Sequence, residues 1–233
     1  MKSIVCWIWG GGTRQYTPQH VNVLAKMFKR HLAEEHRFIC VTDGTAGFDK
    51  GVEVFPTPKQ AVQVGRFKSP EGVRFPSCYR RLWMFSEDAK VLGERVLLID
   101  VDLVVLKDVT PIFNLTADFV GWRPYRDWGA QMRYGGGIYL LTPGTRRHVW
   151  EKFDGQPGIN RARAAGFRGS DQAWLSYMLG PKEVHWPKSS GIYSIRDFPQ
   201  TPNAPPADAR LVQFNGPVKP WNSPLVWARQ HWR

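Results

Sequence analysis

Short apolar runs alternate with amphipathic segments along the first half of the chain. Residues 3–9 and 37–42 are almost continuously apolar and predict buried strands, and residues 52–55 predict a short third strand. Between the first two runs, apolar residues recur every third or fourth position over residues 21–32, which is the spacing of an amphipathic helix. This alternation predicts an α/β fold with a mostly parallel central sheet and helices on both faces.

The strongest apolar segment covers residues 95–106. The residues before it, 77–92, have a helical pattern that Gly93 ends, while the Pro-, Gly- and Lys-rich residues 56–76 predict a surface loop. A sheet of this kind is Rossmann-like, and such sheets bind ligands at the carboxyl ends of their strands. Candidate functional residues are therefore expected where the apolar runs end.

Beyond residue 115 the pattern is weaker and the predicted elements are shorter. Residues 137–141 predict a strand, and residues 170–179 predict a helix with Ser170 at its N-cap. Residues 199–209 are rich in Pro and Ala and predict a linker, which leads into a short strand and an aromatic tail.

Two aspartates, Asp100 and Asp102, interrupt the strongest apolar run. Positions i and i+2 of a strand project to the same face, so the two carboxylates are expected side by side. Their repulsion and desolvation would be costly, and a divalent cation that prefers hard oxygen ligands removes both costs. The pair therefore predicts a Mg²⁺ or Mn²⁺ site that also holds a diphosphate. The alternative is that one aspartate caps a turn and the other faces solvent.

Length and composition indicate one globular domain. The chain has 233 residues, of which 42% are hydrophobic and 22% charged. No apolar run reaches the roughly 18 residues of a membrane-spanning helix, and the first residues predict a buried strand rather than a secretory signal. The three cysteines are widely spaced without a metal-binding or disulfide pattern. We therefore expect a protein of the reducing cytoplasm, or of the host cytoplasm if the chain is viral.

The chain is strongly basic, with a formal net charge of +12 from 32 basic and 20 acidic residues. Residues 121–170 hold nine Arg and Lys against three Asp and Glu, which is about half of the excess. Such a stretch favours a polyanionic partner such as nucleic acid, an anionic lipid surface or a phosphorylated glycan. The alternative is a solvated basic surface that has no partner.

Four segments, in this order along the chain, carry a family resemblance: SCYRRLWMF (77–85), VLLIDVDLVVLKDVTPIF (96–113), GSDQAWLSYML (169–179) and QFNGPVKPW (213–221). Together they resemble glycosyltransferase family 8, which includes glycogenin and bacterial lipopolysaccharide galactosyltransferases. The resemblance extends from residue 3 to residue 221. It implies a GT-A fold over residues 1–233, with residues 196–233 as a linker and closing tail, and a nucleoside-diphosphate sugar as donor.

The resemblance also implies a role for each matching residue. Arg81 would contact the donor, although its neighbour Arg80 competes for that role. Asp171 would bind sugar hydroxyls, and Gln172 would lie near the anomeric carbon, opposite the donor phosphate. Lys219 follows a Gly-Pro turn and would reach the diphosphate as a flexible point charge. The alternatives are a solvated lysine and, for Asp171, a charge partner of a helix N-terminus.

Backbone and base contacts are expected from small residues and from one aromatic residue. Gly216 would let the backbone approach the phosphate, and the glycines at 135–137 correspond to the family's small-residue turn beside the sugar. The family's donor-base contacts are missing, and residues 10–12, beginning with Gly10, and Tyr16 stand in their place. Uridine is therefore the expected base by resemblance alone.

The chain departs from the family at the third metal ligand. Gln213 stands where the family has a histidine, and its neutral amide oxygen would be a weaker ligand for Mg²⁺ or Mn²⁺. The resemblance, together with the lack of an evident general base, favours transfer with retention of configuration.

The acceptor is open, and three readings of the function remain. The first is a glycosyltransferase acting on a glycan or an anionic surface polysaccharide, with peripheral membrane contact through the aromatic and basic residues of the C-terminal tail. The second transfers sugar to modified bases in DNA, as in some viral genomes, although no DNA-binding motif is present. The third is a non-catalytic nucleotide- or polyanion-binding module. A Rossmann dehydrogenase is disfavoured because residues 10–12 do not continue as G-x-G-x-x-G.

Overall fold

The computed structural model describes residues 1–10, 16–64, 77–123, 132–197 and 204–233. Within these residues the strands are β1 (Lys2–Ile8), β2 (His36–Thr42), β3 (Glu53–Pro56), β4 (Arg95–Ile99), β5 (Leu103–Val105), β6 (Phe119–Gly121), β7 (Ile138–Leu141), β8 (Val184–His185), β9 (Ile192–Ser194) and β10 (Leu211–Gln213). The larger sheet has the order β3-β2-β1-β4-β7-β6-β8, and a smaller one has the order β5-β10-β9.

The larger sheet is mostly parallel, which confirms the predicted α/β architecture. Of its described strands, only β7 runs against the rest, since it is antiparallel to both β4 and β6. The chain proceeds outward from β1 to β2 and β3, then returns to place β4 on the other side of β1. This reversal creates a switch point at the carboxyl ends of β1 and β4, where open α/β sheets bind their ligands.

Apolar side chains bury both faces of the central strands. Along β1, Ile4 and Cys6 pack on one face with α1, while Val5 and Trp7 pack on the other face with residues of 77–85. A strand covered on both sides must be apolar at almost every position, which is why residues 3–9 lack a polar alternation.

The helices are α1 (Pro18–His31), α2 (Lys59–Val62), α3 (His148–Glu151), α4 (Gln156–Ala164), α5 (Asp171–Leu179) and α6 (Val226–His231). Helices α1 and α5 confirm the predictions over 21–32 and 170–179. The segment 77–92 is not one helix but two consecutive 3₁₀ helices, Ser77–Phe85 and Glu87–Leu92. Gly93 follows the second with φ of 136°, a conformation suited to glycine.

The apolar run over 95–106 is not a single strand. It divides into β4 of the larger sheet and β5 of the smaller one, and Asp100 and Asp102 lie in the bend between them. The expectation that the two carboxylates share one face of a strand was therefore wrong in its geometry. Apolar patterning could not locate this break, because β4 and β5 are both buried.

The C-terminal segment packs against the rest of the protein. Trp227 of α6 is buried in the same apolar cluster as Ile4 and Phe28, and Trp221 and Trp232 contact each other with ring centroids 5.3 Å apart. The part of the chain described here has no helix long and apolar enough to cross a membrane. Cys6, Cys40 and Cys78 are buried, and none of them forms a disulfide.

Candidate active site

Asp100 lies at the switch point, directly after β4. The register pairs Ile99 of β4 with Ile138 of β7, so the start of β7 reaches the carboxyl end of β4. There the Asp100 N–H donates to the Gly137 carbonyl at 2.7 Å. The carboxylate remains 30% exposed, which leaves it accessible to a ligand.

Asp102 is buried and receives two donors on one of its oxygens. Lys219 Nζ and the Tyr16 hydroxyl both donate to Asp102 Oδ2, the latter at 3.0 Å. The other oxygen, Oδ1, is buried without a hydrogen-bond partner. Burial raises the pKa of the Asp102 carboxyl, and Asp100 raises it further, while Lys219 and Tyr16 oppose that rise.

Gln213 ends β10 and reaches the same point from the smaller sheet. Its Nε2 donates to Asp100 Oδ2 at 2.8 Å, and its Oε1 is buried without a partner. The next residue, Phe214, donates its N–H to the Asp102 carbonyl at 2.8 Å, which fixes β10 against the bend. Two buried oxygens at this point, Asp102 Oδ1 and Gln213 Oε1, therefore accept no hydrogen bond. The other polar atoms of the same two side chains are engaged, by Lys219 and by Asp100.

Arg81 connects Asp100 to Asp171. Its Nη1 donates to Asp100 Oδ1, and its Nη2 donates to Asp171 Oδ2 at 2.7 Å. Burial alone would lower the pKa of Arg81, but Asp100 and Asp171 hold it above its ordinary value. Arg80 instead pairs with Asp43 at 3.1 Å. Arg81, and not Arg80, is therefore the arginine whose terminal nitrogens bind the carboxylates of this cluster.

Asp171, the first residue of α5, is only 2% exposed. Burial raises the pKa of Asp171 and Asp100 adds to that rise, whereas Arg81 lowers it. Ser170 precedes the helix as predicted but makes no side-chain cap hydrogen bond. Its hydroxyl donates to Asp171 Oδ1 at 3.0 Å, so Ser170 orients the carboxylate rather than the helix N-terminus.

Three glycines, at positions 136, 137 and 169, leave space for the side chains of this site. A Cβ on Gly137 would lie 2.8 Å from Asp100 Cγ, and one on Gly136 would lie 3.0 Å from Asp171 Oδ1. Gln172 fits beside Gly136 and Gly169, since a Cβ on Gly169 would lie 2.8 Å from its Nε2. Gly136 and Gly137 therefore lie directly against the carboxylates of Asp171 and Asp100, where a larger residue would not fit.

The turn after β10 returns Lys219 to the cluster. Gly216 has φ of 119°, in the left-handed region that favours glycine. Lys219 is 5% exposed, and its Nζ donates to the Phe214 carbonyl at 3.1 Å as well as to Asp102. Its own N–H donates to Asn222 Oδ1 at 2.6 Å. Lys219 is therefore a buried counter-ion rather than a solvated lysine.

His20, which the sequence pattern did not single out, forms an aromatic group with Tyr16 and Trp221 beside this site. His20 stacks on Trp221 with ring centroids 4.0 Å apart, and Tyr16 meets Trp221 edge-on at 6.1 Å. The Thr17 N–H donates to His20 Nδ1 at 3.0 Å, so the same ring also caps α1. A signal was present in Thr17 three residues before His20, which is the spacing of a reciprocal N-terminal cap.

Four expected regions lie partly outside the described residues. Residues 65–76 of the predicted loop and residues 199–203 of the predicted linker are not described. Gly10 is exposed at the end of β1, but residues 11 and 12 are not described, and residues 124–131 of the basic stretch are not described either. Within that stretch, Arg161 forms an exposed pair with Asp154 at 2.9 Å.

The oxygen atoms of Asp100, Asp102 and Gln213 are ligands of the kind that a hard divalent cation prefers. Among the described residues no group of three His, Cys, Asp or Glu is placed to hold a metal. The oxygens available are instead two carboxylates and one amide, and Mg²⁺ and Mn²⁺ accept both kinds of ligand. Asp102 Oδ1 and Gln213 Oε1 are buried acceptors without donors, which cost free energy unless a donor or a cation meets them.

Solved glycosyltransferases share this fold. The chain matches the galactosyltransferase LgtC, solved with donor and acceptor sugar analogues, with a TM-score of 0.70 at 14% identity over 98% of this chain and 93% of LgtC. An active-site mutant of LgtC matches with a TM-score of 0.66 at 13% identity over the same shares.

The glycosyltransferase GlyE of Streptococcus pneumoniae TIGR4, in its apo form, matches with a TM-score of 0.62 at 15% identity. That match covers 99% of this chain and 59% of GlyE, so the chain spans about three fifths of that protein. No protein-family model and no curated protein sequence matches the chain. The structural likeness shows that the chain has the GT-A fold expected from the sequence.

Proposed function

We propose that this chain is a metal-dependent glycosyltransferase that moves a sugar from a nucleoside-diphosphate sugar, a UDP-sugar in the first instance, to an acceptor with retention of configuration. The observation that carries this proposal is the cluster of Asp100, Asp102 and Asp171 with two orphaned buried oxygens, at the switch point of a fold shared with glycosyltransferases. Residues 1–233 form the GT-A unit, and residues 196–233 close it.

Mg²⁺ or Mn²⁺ would be held by the carboxylates of Asp100 and Asp102 and by Gln213 Oε1. Bound there, the ion supplies charge stabilisation for the diphosphate as it leaves. Gln213 Nε2 already donates to Asp100, which fixes the orientation of its amide. Tyr16 likewise holds one oxygen of Asp102, so the other is left for the ion.

The remaining residues bind and orient the donor. Lys219 neutralises the diphosphate, and the Gly216 backbone approaches it. The exposed Gly10 and the half-buried Tyr16 lie on the nucleoside side. Arg81 fixes Asp171 relative to Asp100, and Asp171 accepts hydrogen bonds from sugar hydroxyls. Gln172 lies on the opposite face of the sugar, against the small residues at 136 and 169.

The proton balance of the transfer closes without an additional protein base. The bond between the anomeric carbon and the leaving phosphate oxygen breaks, and the acceptor hydroxyl oxygen bonds to that carbon on the same face. The hydroxyl proton passes to the leaving phosphate. The carboxylates at 100, 102 and 171 are all engaged by Arg81, Lys219 or Tyr16, which supports this assignment.

A glycan is the acceptor that we propose, in the cytoplasm, where the three buried thiols stay reduced. LgtC was solved with an acceptor sugar analogue, which favours a sugar over DNA. Acceptor kinetics at rising salt distinguish the two. Binding to duplex DNA weakens with a log–log slope of about −0.9 for each phosphate neutralised, whereas a glycan with few charges gives a shallow slope.

A panel of nucleotide sugars tests the reaction, scored for release of nucleoside diphosphate with MnCl₂ and with excess chelator. We expect release from at least one donor, loss of release in chelator, and recovery with added Mn²⁺. Asp102→Asn should abolish release, while the control Asp154→Asn, which removes an exposed carboxylate paired with Arg161, should retain it. Full activity of Asp102→Asn, or of wild type in chelator, would refute the metal role. If no donor is turned over and none binds, the glycosyltransferase proposal fails.

A further inference from the structure

The site has more carboxylates than cationic side chains, and this difference affects how it can bind a metal ion. The carboxylates of Asp100, Asp102 and Asp171 face two cations, Arg81 and Lys219, so the five groups carry a net charge of −1 when all are ionised. Arg81 and Lys219 are 8% and 5% exposed, and solvent therefore screens their charges little.

Lys219 already occupies the position of a counter-ion to Asp102. Its ammonium donates to Asp102 Oδ2 and to the Phe214 carbonyl, and Tyr16 donates to the same carboxylate oxygen. Arg81 engages Asp100 in the same manner through Oδ1. Each carboxylate expected to bind a metal is thus partly neutralised by the protein itself.

We propose that Lys219 acts as an internal counter-ion that prevents tight binding of the divalent cation alone and makes it bind together with the diphosphate. This inference rests on the proposed function and adds a binding order to it. A dication alone would change the net charge of the site from −1 to +1, beside two buried cations. The two ionised phosphates of a nucleotide sugar return the charge to its starting value, so the pair binds at a lower electrostatic cost than the ion alone.

A bound diphosphate would offer the Lys219 ammonium a second anionic partner besides Asp102. Its stem follows a turn whose conformation is set by Gly216, and the ammonium is a point charge that can move from carboxylate to phosphate by rotation about its side-chain bonds. That movement removes the cationic donor from Asp102 Oδ2 while Tyr16 keeps its hydrogen bond, so the charge of the carboxylate becomes available to the divalent cation. Coupling between two ligands is reciprocal, so Mn²⁺ should tighten UDP binding by the same factor.

Calorimetric titration of the full chain measures this coupling without relying on turnover. The probes are MnCl₂ alone, UDP alone, and MnCl₂ at saturating UDP, each corrected by a protein-free titration because UDP also binds Mn²⁺ in solution. For wild type we expect Mn²⁺ alone to bind at least about tenfold more weakly than Mn²⁺ with UDP. Equal Mn²⁺ affinity with and without UDP overturns the inference.

Lys219→Met removes the charge and keeps most of the stem. We expect Mn²⁺ alone to bind this variant at least about tenfold more tightly than wild type, and to raise its melting temperature, since a buried carboxylate without a counter-ion gains most from the cation. The control Lys90→Met removes a lysine that is 59% exposed and paired with Glu87, and should leave Mn²⁺ affinity at the wild-type value. Lys219→Gln, which keeps a donor, makes the same comparison if the methionine variant does not fold.

The outcomes separate the inference from the function on which it rests. Unchanged Mn²⁺ affinity in the folded Lys219 variants overturns the inference, even if wild type releases nucleoside diphosphate from a donor. Absence of UDP binding at every Mn²⁺ concentration, together with no donor turnover, overturns both. Coupled binding in wild type that is lost in Lys219→Met supports the inference.

Discussion

Gly137→Ala tests whether the carboxylate site is as closely packed as the structure indicates. The added methyl group would overlap the Gln213 amide and the Asp100 carboxylate, and its carbon would lie 2.8 Å from Asp100 Cγ. Asp100 cannot move freely, because its N–H is bound by the Gly137 carbonyl and its carboxylate is bound by Arg81. The simplest relief is displacement of Gln213 from Asp100.

The expected loss of stability follows from two costs. Overpacking a filled site costs about 1–3 kcal/mol, and a hydrogen bond to a charged group such as Gln213 Nε2 to Asp100 contributes about 1.5–3 kcal/mol. Moving Gln213 away relieves the overlap but breaks its hydrogen bond to Asp100, so the two costs do not add fully. We expect the free energy of unfolding to fall by about 3 kcal/mol. With a urea m-value of about 3 kcal/mol/M, the unfolding midpoint should fall by about 1 M.

Urea unfolding followed by circular dichroism measures this shift, and Mn²⁺ titration in the presence of UDP follows the site. Gly51→Ala is the matched control, because a Cβ there meets no atom within 4 Å. Its midpoint should stay at or slightly above that of wild type, since alanine lowers the entropy of the unfolded chain. A Gly137→Ala midpoint within about 0.2 M of wild type, with unchanged Mn²⁺ binding, would contradict the packing that places Gln213 against Asp100.

Three further predictions concern single residues. Arg81→Lys keeps the charge, but one ammonium cannot replace the guanidinium that contacts Asp100 with one nitrogen and Asp171 with the other. We therefore expect kcat to fall by at least about tenfold; unchanged kcat would show that the bridge is dispensable. Gln213→His should raise the apparent Mn²⁺ affinity by about tenfold, measured by calorimetry, because imidazole replaces a weak amide ligand; an unchanged affinity would exclude Gln213 from the metal shell. Burial raises the pKa of Cys78 to about 12 and that of Cys6 well above its ordinary value. Because both pKa values are raised in the folded state, stability should decline as pH rises above about 8.5, where unfolded thiols ionise, and a constant urea midpoint between pH 8 and 10.5 would contradict this.

Local sequence patterns determined the class of the fold and the position of the central carboxylates. Apolar runs alternating with an amphipathic helix indicated a mostly parallel sheet, because period and burial are written into neighbouring residues. Asp100 was identifiable because a charge that interrupts the strongest apolar run requires a partner. The start of α5 at Asp171 and the turn at Gly216 were likewise visible, since caps and positive φ angles depend on local residue types.

Only the tertiary structure decided which groups neutralise one another. Lys219 meets Asp102 across 117 residues and Gln213 meets Asp100 across 113, and no local period records such pairs. The division of residues 95–106 between two sheets has the same origin, because the chain leaves the larger sheet after β4 and β5 pairs with the distant β10. Apolar character reports that a residue is buried and not which strand buries it. The sequence alone therefore located the pair of carboxylates, and the fold determined that the protein's own arginine and lysine already neutralise it.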